Sequence, residues 1–192
     1  MSDRKGTEGT GPLEWVRSLV YVVLASILIS AFAVRLVRVD GTSMRDTLQD
    51  GDVLLVAGTL LTGPPEDGDI VVLRKESFDE DAIIKRVIAT EGQTVDIDFE
   101  RGEVYVDGAV LEEPYVLGPT LVDEGLRFPV TVPERHLFVL GDNRNHSSDS
   151  RSPALGTVDM RYVIGRAAFL VIPGKDAETK ERDLDRIGIL EN

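Results

Sequence analysis

A long uncharged stretch near the N-terminus most constrains what this chain can fold into. Ser18–Val34 carries no charged residue over 17 positions. As a helix this segment would span roughly 26 Å, slightly less than the hydrocarbon core of a bilayer, which is about 30 Å thick. Trp15 and Tyr21 suit the membrane interface, and Arg17 can extend its charge toward the headgroups. We therefore predict a single transmembrane anchor helix over residues 15–37, with the lipid bilayer as a partner.

Two other interpretations of this stretch stay open. A cleavable signal peptide would have the same basic start, here Arg4 and Lys5, and small residues before the cut, here Ala31-Phe32-Ala33. A buried core helix is the third interpretation, because the stretch has no polar face at a helical period. Residues 1–14, which precede the anchor, are polar and glycine-rich and are predicted to be a disordered tail.

Charge and cysteine content limit the function classes. The net charge is −13, and because residues 1–38 carry +2, the rest of the chain carries −15. So acidic a body argues against nucleic-acid binding, which needs clustered positive charge. The chain has no cysteine, which excludes disulfides, a thiolate nucleophile and a cysteine-ligated metal.

The rest of the chain has the pattern of a mostly β domain. Short apolar runs alternate with turn signals such as Asp67-Gly68, Glu91-Gly92 and Asp107-Gly108. We predict an antiparallel β-sheet domain over 38–174, with a peripheral insertion or lobe over 98–135 and a charged C-terminal tail over 175–192. Residues 102–110 are predicted to form a hairpin with an Asp-Gly turn. The strands are predicted at 53–56, 70–73, 83–89, 94–97, 104–106, 137–140 and 163–172.

Lys85 interrupts an otherwise apolar strand, Ile83–Ala89. A lysine buried there would lose its proton more easily, since removing an ammonium from water lowers its pKa by up to several units. A neutral amine within reach of a serine hydroxyl is sufficient for acyl transfer without histidine. The alternative is a strand-edge lysine that reaches water or pairs with an aspartate.

Ser43, in Gly41-Thr42-Ser43-Met44, is the candidate nucleophile. Gly41 and Thr42 suit a close approach of backbone N–H groups to a substrate oxygen, as in an oxyanion hole. Met44 offers an apolar floor for a small substrate side chain. The alternative is that Ser43 is an ordinary turn residue or helix N-cap.

A polar, turn-rich loop, Leu140–Arg151, follows an apolar strand and is a third candidate segment. Its acidic residues lack the alternate spacing of a calcium loop, so we predict no metal and no cofactor. A structural loop and a catalytic support loop both stay open. His146 could also serve Ser43 in a Ser/His/Asp triad with Asp142 or Asp149, but that arrangement leaves Lys85 unexplained. His136, at a strand entrance, is predicted to be structural.

Together these segments resemble the type I signal peptidases, the membrane-bound Ser/Lys endopeptidases of bacteria, from the anchor to about Gly165. Gly41–Leu48 resembles the nucleophile box of that family. Gly68–Val72 and Ile84–Ile88 resemble the strand pair that carries the general base, and Gly141–Arg151 resembles the Gly-Asp-Asn…Ser-x-Asp-Ser-Arg box. The version here is closest to the single-anchor Gram-positive type.

The resemblance implies a role for each residue. Ser43 would attack the scissile carbonyl, and neutral Lys85 would take its proton. Ser147 would orient the lysine amine, while Asp149 and Arg151 would form a supporting ion pair. Asp142 and Asn143 would be further supporting residues, the Ser43 backbone N–H would serve the oxyanion hole, and Gly41, Thr42 and Met44 would line the oxyanion and substrate pocket.

Two positions depart from the family pattern. Some members carry a hydroxyl two residues before the nucleophile as a second oxyanion donor, but Gly41 has none. Asp46 stands where the family usually has proline, which loosens the turn and adds charge near the site.

The implied function is removal of signal peptides from exported preproteins, after small residues of the Ala-x-Ala type. The resemblance also implies a single-pass cell-membrane protein with a cytoplasmic N-terminus and an extracytoplasmic catalytic domain that receives preproteins from the secretion machinery. Two alternatives remain. One is a non-catalytic membrane-tethered β domain that binds extended peptides, and the other is a Ser/Lys protease with a narrow dedicated target.

Overall fold

A computed structural model describes residues 12–175 and 179–190 of the chain. Residues 1–11 of the predicted disordered tail lie outside the described residues, while 12–14 belong to the first helix, α1 (Pro12–Ala33). Among the helices of the described residues, none is both long enough and apolar enough to cross a bilayer.

Helix α1 ends at Ala33, before the predicted end of the anchor at 37. Residues 34–38 form strand β1 (Val34–Arg38), which pairs antiparallel with β2 (Val53–Ala57) in the register Val34↔Ala57 to Arg38↔Val53. The uncharged stretch continues to Val34, and Arg35 suits the interfacial end of an anchor, so the sequence did not indicate this change from helix to strand. Val37 then packs against the domain core, which gives β1 a tertiary reason to be extended.

The domain consists of two antiparallel sheets, which confirms the predicted mostly β fold. Within the described residues the larger sheet has the order β1-β2-β11-β3-β4-β9-β10, with β12 paired to β11, and the smaller has the order β7-β6-β5-β8. A four-residue helix, α2 (Thr59–Thr62), follows β2. The remaining strands are β3 (Ile70–Leu73), β4 (Ile83–Ala89), β5 (Thr94–Asp98), β6 (Glu103–Val106), β7 (Ala109–Val110), β8 (Val130–Thr131), β9 (His136–Leu140), β10 (Val158–Asp159), β11 (Val163–Ile172) and β12 (Gly188–Ile189).

The smaller sheet lies in the chain between β4 and β9 and overlaps the segment predicted as a peripheral lobe, 98–135. Its β6–β7 hairpin turns at Asp107 and Gly108, which both have positive φ, at 52° and 81°. This is the conformation that a two-residue Asp-Gly turn requires, so the predicted hairpin is confirmed. A buried cluster that includes Ile88, Val95 and Phe138 packs the smaller sheet against the larger one. We call the smaller sheet and its connecting segments, residues 94–135, the lobe.

The C-terminal segment is tied to the domain where the structure describes it. Strand β12 pairs with β11, and Arg186 forms an ion pair with the fully buried Asp52 at 2.8 Å. Arg186 also donates to the carbonyl of Thr47, so this segment supports the chain that follows Ser43. Residues 176–178 and 191–192 of the predicted tail lie outside the described residues.

Candidate active site

Ser43 lies in the loop that joins β1 to β2. Met44 and Leu48, on the same loop, are buried in the core of the larger sheet, while Ser43 stays half-buried. A hydrogen bond from Leu48 N to Met44 O forms a helical turn between these two apolar anchors. The loop is therefore held by its buried side chains, and Ser43 faces solvent at a fixed place.

The amide of Gly41 is already engaged in this loop. Gly41 has a φ of +96°, a conformation that favours glycine, and its N–H donates to Asp50 Oδ1 at 3.0 Å. This hydrogen bond differs from the sequence expectation that Gly41 serves a substrate oxygen.

Lys85 lies in the middle of β4, which pairs with β3 on one side and β9 on the other. The central strand expected from its apolar pattern is thus confirmed, and Lys85 is only 3% exposed. Burial lowers the pKa of its amine from 10.5 to about 8. The negative charges of Asp149 and Glu124 oppose this fall in pKa, the positive charge of Arg151 adds to it, and Asp142 opposes it.

Ser43 and Lys85 line the same cleft. Its narrow part has a volume of about 160 Å³ and is also lined by Met44, Asp79 and Ile83. A wider part of about 410 Å³ adjoins it and includes Thr42, Ser43, Lys85 and His146 in its walls. The structure therefore brings together the candidate nucleophile, the candidate base and the apolar side chain predicted to floor the pocket.

Asn143 connects the loop between β1 and β2 that carries Ser43, which we call the nucleophile loop, to the segment Leu140–Arg151, which we call the support loop. Its backbone N–H donates to Ser43 O at 3.0 Å, and its side-chain amide donates to Thr42 O at 3.1 Å. The position of Ser43 is thus set by a residue a hundred positions later in the chain.

Gly141 lets these two loops approach each other. A methyl group on its Cα would lie 2.5 Å from Ser43 O and closer still to Ser147 Oγ. No side chain fits between these atoms, because real Cβ contacts are longer than 3 Å. Gly141 is therefore required for close packing rather than for an unusual φ.

The predicted ion pair between Asp149 and Arg151 is present in the structure, with Arg151 Nε 2.8 Å from Asp149 Oδ1 and both side chains fully buried. Arg151 also donates to the carbonyls of Arg144 and Ser147, so its guanidinium holds the loop in shape. Ser147 Oγ donates to Asp149 Oδ2 at 2.8 Å. A hydroxyl whose only proton is engaged in this way can act toward an amine only as an acceptor.

Asp142 takes part in a second buried ion pair. Arg86, next to Lys85 on β4, donates to both carboxylate oxygens of Asp142, at 3.0 and 2.9 Å. Thr47 Oγ1 donates to Asp142 Oδ2 at 2.5 Å, and the ring of Tyr115 lies 3.9 Å from the Arg86 guanidinium carbon. Asp142, in the support loop, thus connects this loop to strand β4 through Arg86 and to the nucleophile loop through Thr47.

The Ser/His/Asp alternative gains little from these contacts. His146 is exposed, and the two carboxylates that could orient it are both held by buried arginines. His136 places its Nδ1 2.8 Å from the carbonyl of Glu134, a local contact at the strand entrance. In the part of the chain that the structure describes, no cluster of histidine and acidic side chains could hold a metal ion.

Comparison with known proteins identifies the family. A family model described as signal peptidase, peptidase S26, matches residues 12–172. The chain belongs to this family. It is 36% identical to signal peptidase I of Bacillus licheniformis over 90% of this chain and 96% of that protein. It is also 36% identical to signal peptidase I T of Bacillus subtilis strain 168, over 84% of this chain and 86% of that protein.

A solved signal peptidase I from Enterococcus faecalis is 29% identical, covers 53% of this chain and 95% of that chain, and aligns with a TM-score of 0.43. The family predicted from the three sequence boxes is confirmed by the family match and the Bacillus relatives. The chain is therefore a serine endopeptidase, a hydrolase of peptide bonds. Family membership favours catalysis over the non-catalytic peptide-binding alternative.

Sequence reasoning missed several residues that build the site. Arg86 was visible as a second charge in an apolar strand, and Gly141 as the first residue of its box. Thr47 lies within the segment that resembles the nucleophile box, but its bond to Asp142 was not predicted. Glu124 gave no signal, since a glutamate in a polar segment is ordinary at a protein surface.

We expect Gly141→Ala to lower the free energy of unfolding by about 2 kcal/mol, because the added methyl group overpacks a closed interface. It should also abolish peptide-bond cleavage, since Ser43 and Ser147 must separate. Gly188→Ala is the matched control, as a methyl group there meets nothing within 4 Å. Urea unfolding and cleavage assays check both variants, and a fully active Gly141→Ala protein would contradict the prediction.

Burial of the Lys85 amine predicts a pH-dependent effect of Lys85→Met on stability. Below pH 8 the folded wild type holds a buried ammonium at a cost that disappears as the pH rises from about 8 to 10.5. The stability of Lys85→Met relative to wild type should therefore fall by about 3 kcal/mol between pH 7 and pH 10.5.

Unfolding by urea at several pH values measures this difference. Ile84→Met, the neighbouring position on β4, is the control because it removes no titratable group, and its difference from wild type should stay constant. A constant difference for Lys85→Met would show that its amine titrates alike in the folded and unfolded chains.

Proposed function

We propose that this chain removes signal peptides from exported preproteins, cutting after small residues of the Ala-x-Ala type, with Ser43 as nucleophile and Lys85 as general base. The observation that carries the proposal is the buried Lys85, whose pKa falls to about 8, in the same cleft as Ser43. An amine with that pKa is partly neutral near physiological pH and so can accept a proton. The names of the relatives, signal peptidase I, support the substrate class.

In the first step Ser43 Oγ attacks the scissile carbonyl carbon as its proton passes to Lys85 Nζ. The carbonyl electron pair moves onto oxygen, and when it returns, the C–N bond breaks and the lysine ammonium gives its proton to the leaving amine. Water, deprotonated by Lys85, then attacks the acyl ester and restores Ser43. Lys85 thus serves as base and acid in turn.

The Ser43 backbone N–H is the donor that we assign to the oxyanion. Gly41 is a poor candidate because its N–H donates to Asp50. One well-placed donor of this kind contributes a few kcal/mol in the transition state. Met44 and the narrow cleft below it favour a small apolar side chain next to the scissile bond.

Ser147 is the residue that we assign to orient Lys85. Its proton is held by Asp149, so toward the lysine amine its oxygen can act only as an acceptor. Such a bond would turn the amine lone pair toward Ser43. Asp149 and Arg151 support this arrangement, and Asp142 and Asn143 hold the nucleophile loop against it.

Cleavage of a preprotein with an Ala-x-Ala site tests these roles. Ser43→Ala and Lys85→Met should each lower the rate about a thousandfold or more, because each removes a group that takes part in bond making. His146→Ala should retain near-wild-type cleavage. Loss in His146→Ala with activity in Lys85→Met would favour the triad instead, and failure of wild type on a broad preprotein panel would favour a protease with a narrow target.

We further propose that the N-terminal helix anchors the protein in the cell membrane, with the N-terminus cytoplasmic and the catalytic domain on the opposite face. The uncharged stretch Ser18–Val34 supports this proposal, as do the exposed apolar side chains along α1, such as Leu24 at 51% and Ile27 at 59%. Such side chains in a row are costly in water and favourable in lipid. The short link from Val34 to Ser43 would hold the nucleophile near the membrane surface.

Membrane fractionation of the full chain tests the anchor. Wild type should stay with the membranes after alkaline carbonate extraction, whereas Leu24→Asp combined with Ile27→Asp should release the protein, since each charge within lipid costs several kcal/mol. Leu13→Asp, outside the uncharged stretch, is the control and should remain bound. Wild type recovered in the soluble fraction would contradict the anchor.

A further inference from the structure

A segment of the lobe lies along the support loop of the active site. We call residues 113–126 the strap. Polar contacts connect the strap to the support loop along its whole length. Glu113 forms an ion pair with Arg144, and Arg151 Nη1 donates to the carbonyl of Val122. Three strap amides also donate to the support loop: Leu117 N to Asp142 O, Leu121 N to Asn145 Oδ1, and Leu126 N to Arg151 O. The lobe therefore contacts the site through one continuous segment.

Glu124 is the strap residue whose charge reaches the centre of the site. Its Oε2 accepts from the backbone N–H of Asp149 at 3.1 Å and lies 4.0 Å from Arg151 Nε. Its side chain is 17% exposed, so the carboxylate is largely removed from water. Coulomb interactions in such a setting are stronger than at an open surface.

We propose that Glu124 is a positioning residue for peptide cleavage, which holds the backbone of Asp149 and compensates the positive charge of Arg151 beside Lys85. The proposal rests on the assignment of Lys85 as the general base. Nothing in the sequence boxes marks Glu124, which belongs to the lobe rather than to the sheet that carries Ser43 and Lys85.

The charges around Lys85 come from several elements. The support loop contributes Asp142, Asp149 and Arg151, and the strap contributes Glu124. The cleft walls add Asp40 from the nucleophile loop and Asp79 and Asp81 from the segment before β4. Arg86 is the next residue along β4. Glu124 raises the pKa of the Lys85 amine and Arg151 lowers it. Neutralising Glu124 removes the effect that raises this pKa and leaves the effect of Arg151 as it was, so the pKa of Lys85 falls.

Glu124→Gln separates charge from structure, because the glutamine carbonyl can still accept from Asp149 N. The rate of preprotein cleavage by wild type should rise with pH through about 8, as Lys85 loses its proton. In Glu124→Gln this rise should move about half a pH unit toward acid, so that cleavage at pH 7 becomes about threefold faster while the rate at high pH stays near that of wild type.

Two variants complete the test. Glu112→Gln is the matched control, an exposed glutamate beside the strap, and should keep the wild-type profile. Glu124→Asp keeps the charge, so its pH profile should match that of wild type even where the shorter side chain slows cleavage. A Glu124→Gln profile that does not move, at any overall rate, would overturn the proposal, as would an equal shift in Glu124→Asp.

A second measurement separates this proposal from the assignment of Lys85. The stability difference between Glu124→Gln and Glu124→Gln/Lys85→Met reports the titration of Lys85 without any substrate. Its pH dependence should begin at lower pH than in the wild-type background, and an unchanged onset would overturn the role of Glu124. Cleavage that survives in Lys85→Met would instead overturn the proposed mechanism.

Discussion

The structure of the site depends on the burial of one amine. Lys85 lies in the middle of a central strand, between β3 and β9, where its ammonium is poorly solvated. The same desolvation that costs folding stability brings the pKa of the amine to about 8. An amine with this pKa is partly neutral near physiological pH without help from a histidine, because the sheet itself removes it from water.

Ser43 and Lys85 line one cleft, and beside it two loops pack without a gap. Gly141 leaves no side chain between Ser43 and Ser147, and Asn143 holds the carbonyls of Thr42 and Ser43. Met44 and Leu48 fix the other side of the same loop in the core. Ser43 is thus positioned by contacts to its neighbours, while its own side chain remains available for chemistry.

The sequence predicted the strands better than the contacts between them. Runs such as Ile70–Leu73 and Ile83–Ala89 carry their own signal, since apolar β-branched residues between turn residues specify a strand locally. β1 was missed because its partner, β2, and not its own composition, makes it extended. The contact of Asp142 with Arg86 and the approach of Glu124 to Asp149 join residues far apart in the chain, which no local pattern encodes.

The arginines of the site explain how so many carboxylates can surround Lys85 without restoring its usual pKa. Asp142 is paired with Arg86, Asp149 with Arg151, and Glu113 with Arg144, so most of the negative charge is compensated within a few ångströms. A compensated pair has a field that decays quickly with distance, whereas a single charge acts further. Desolvation is therefore the largest influence on the pKa of Lys85, and the surrounding charges change this pKa by smaller amounts. The lobe thus contributes, through Glu124 of the strap, to the electrostatics around Lys85, although Ser43 and Lys85 both lie outside it.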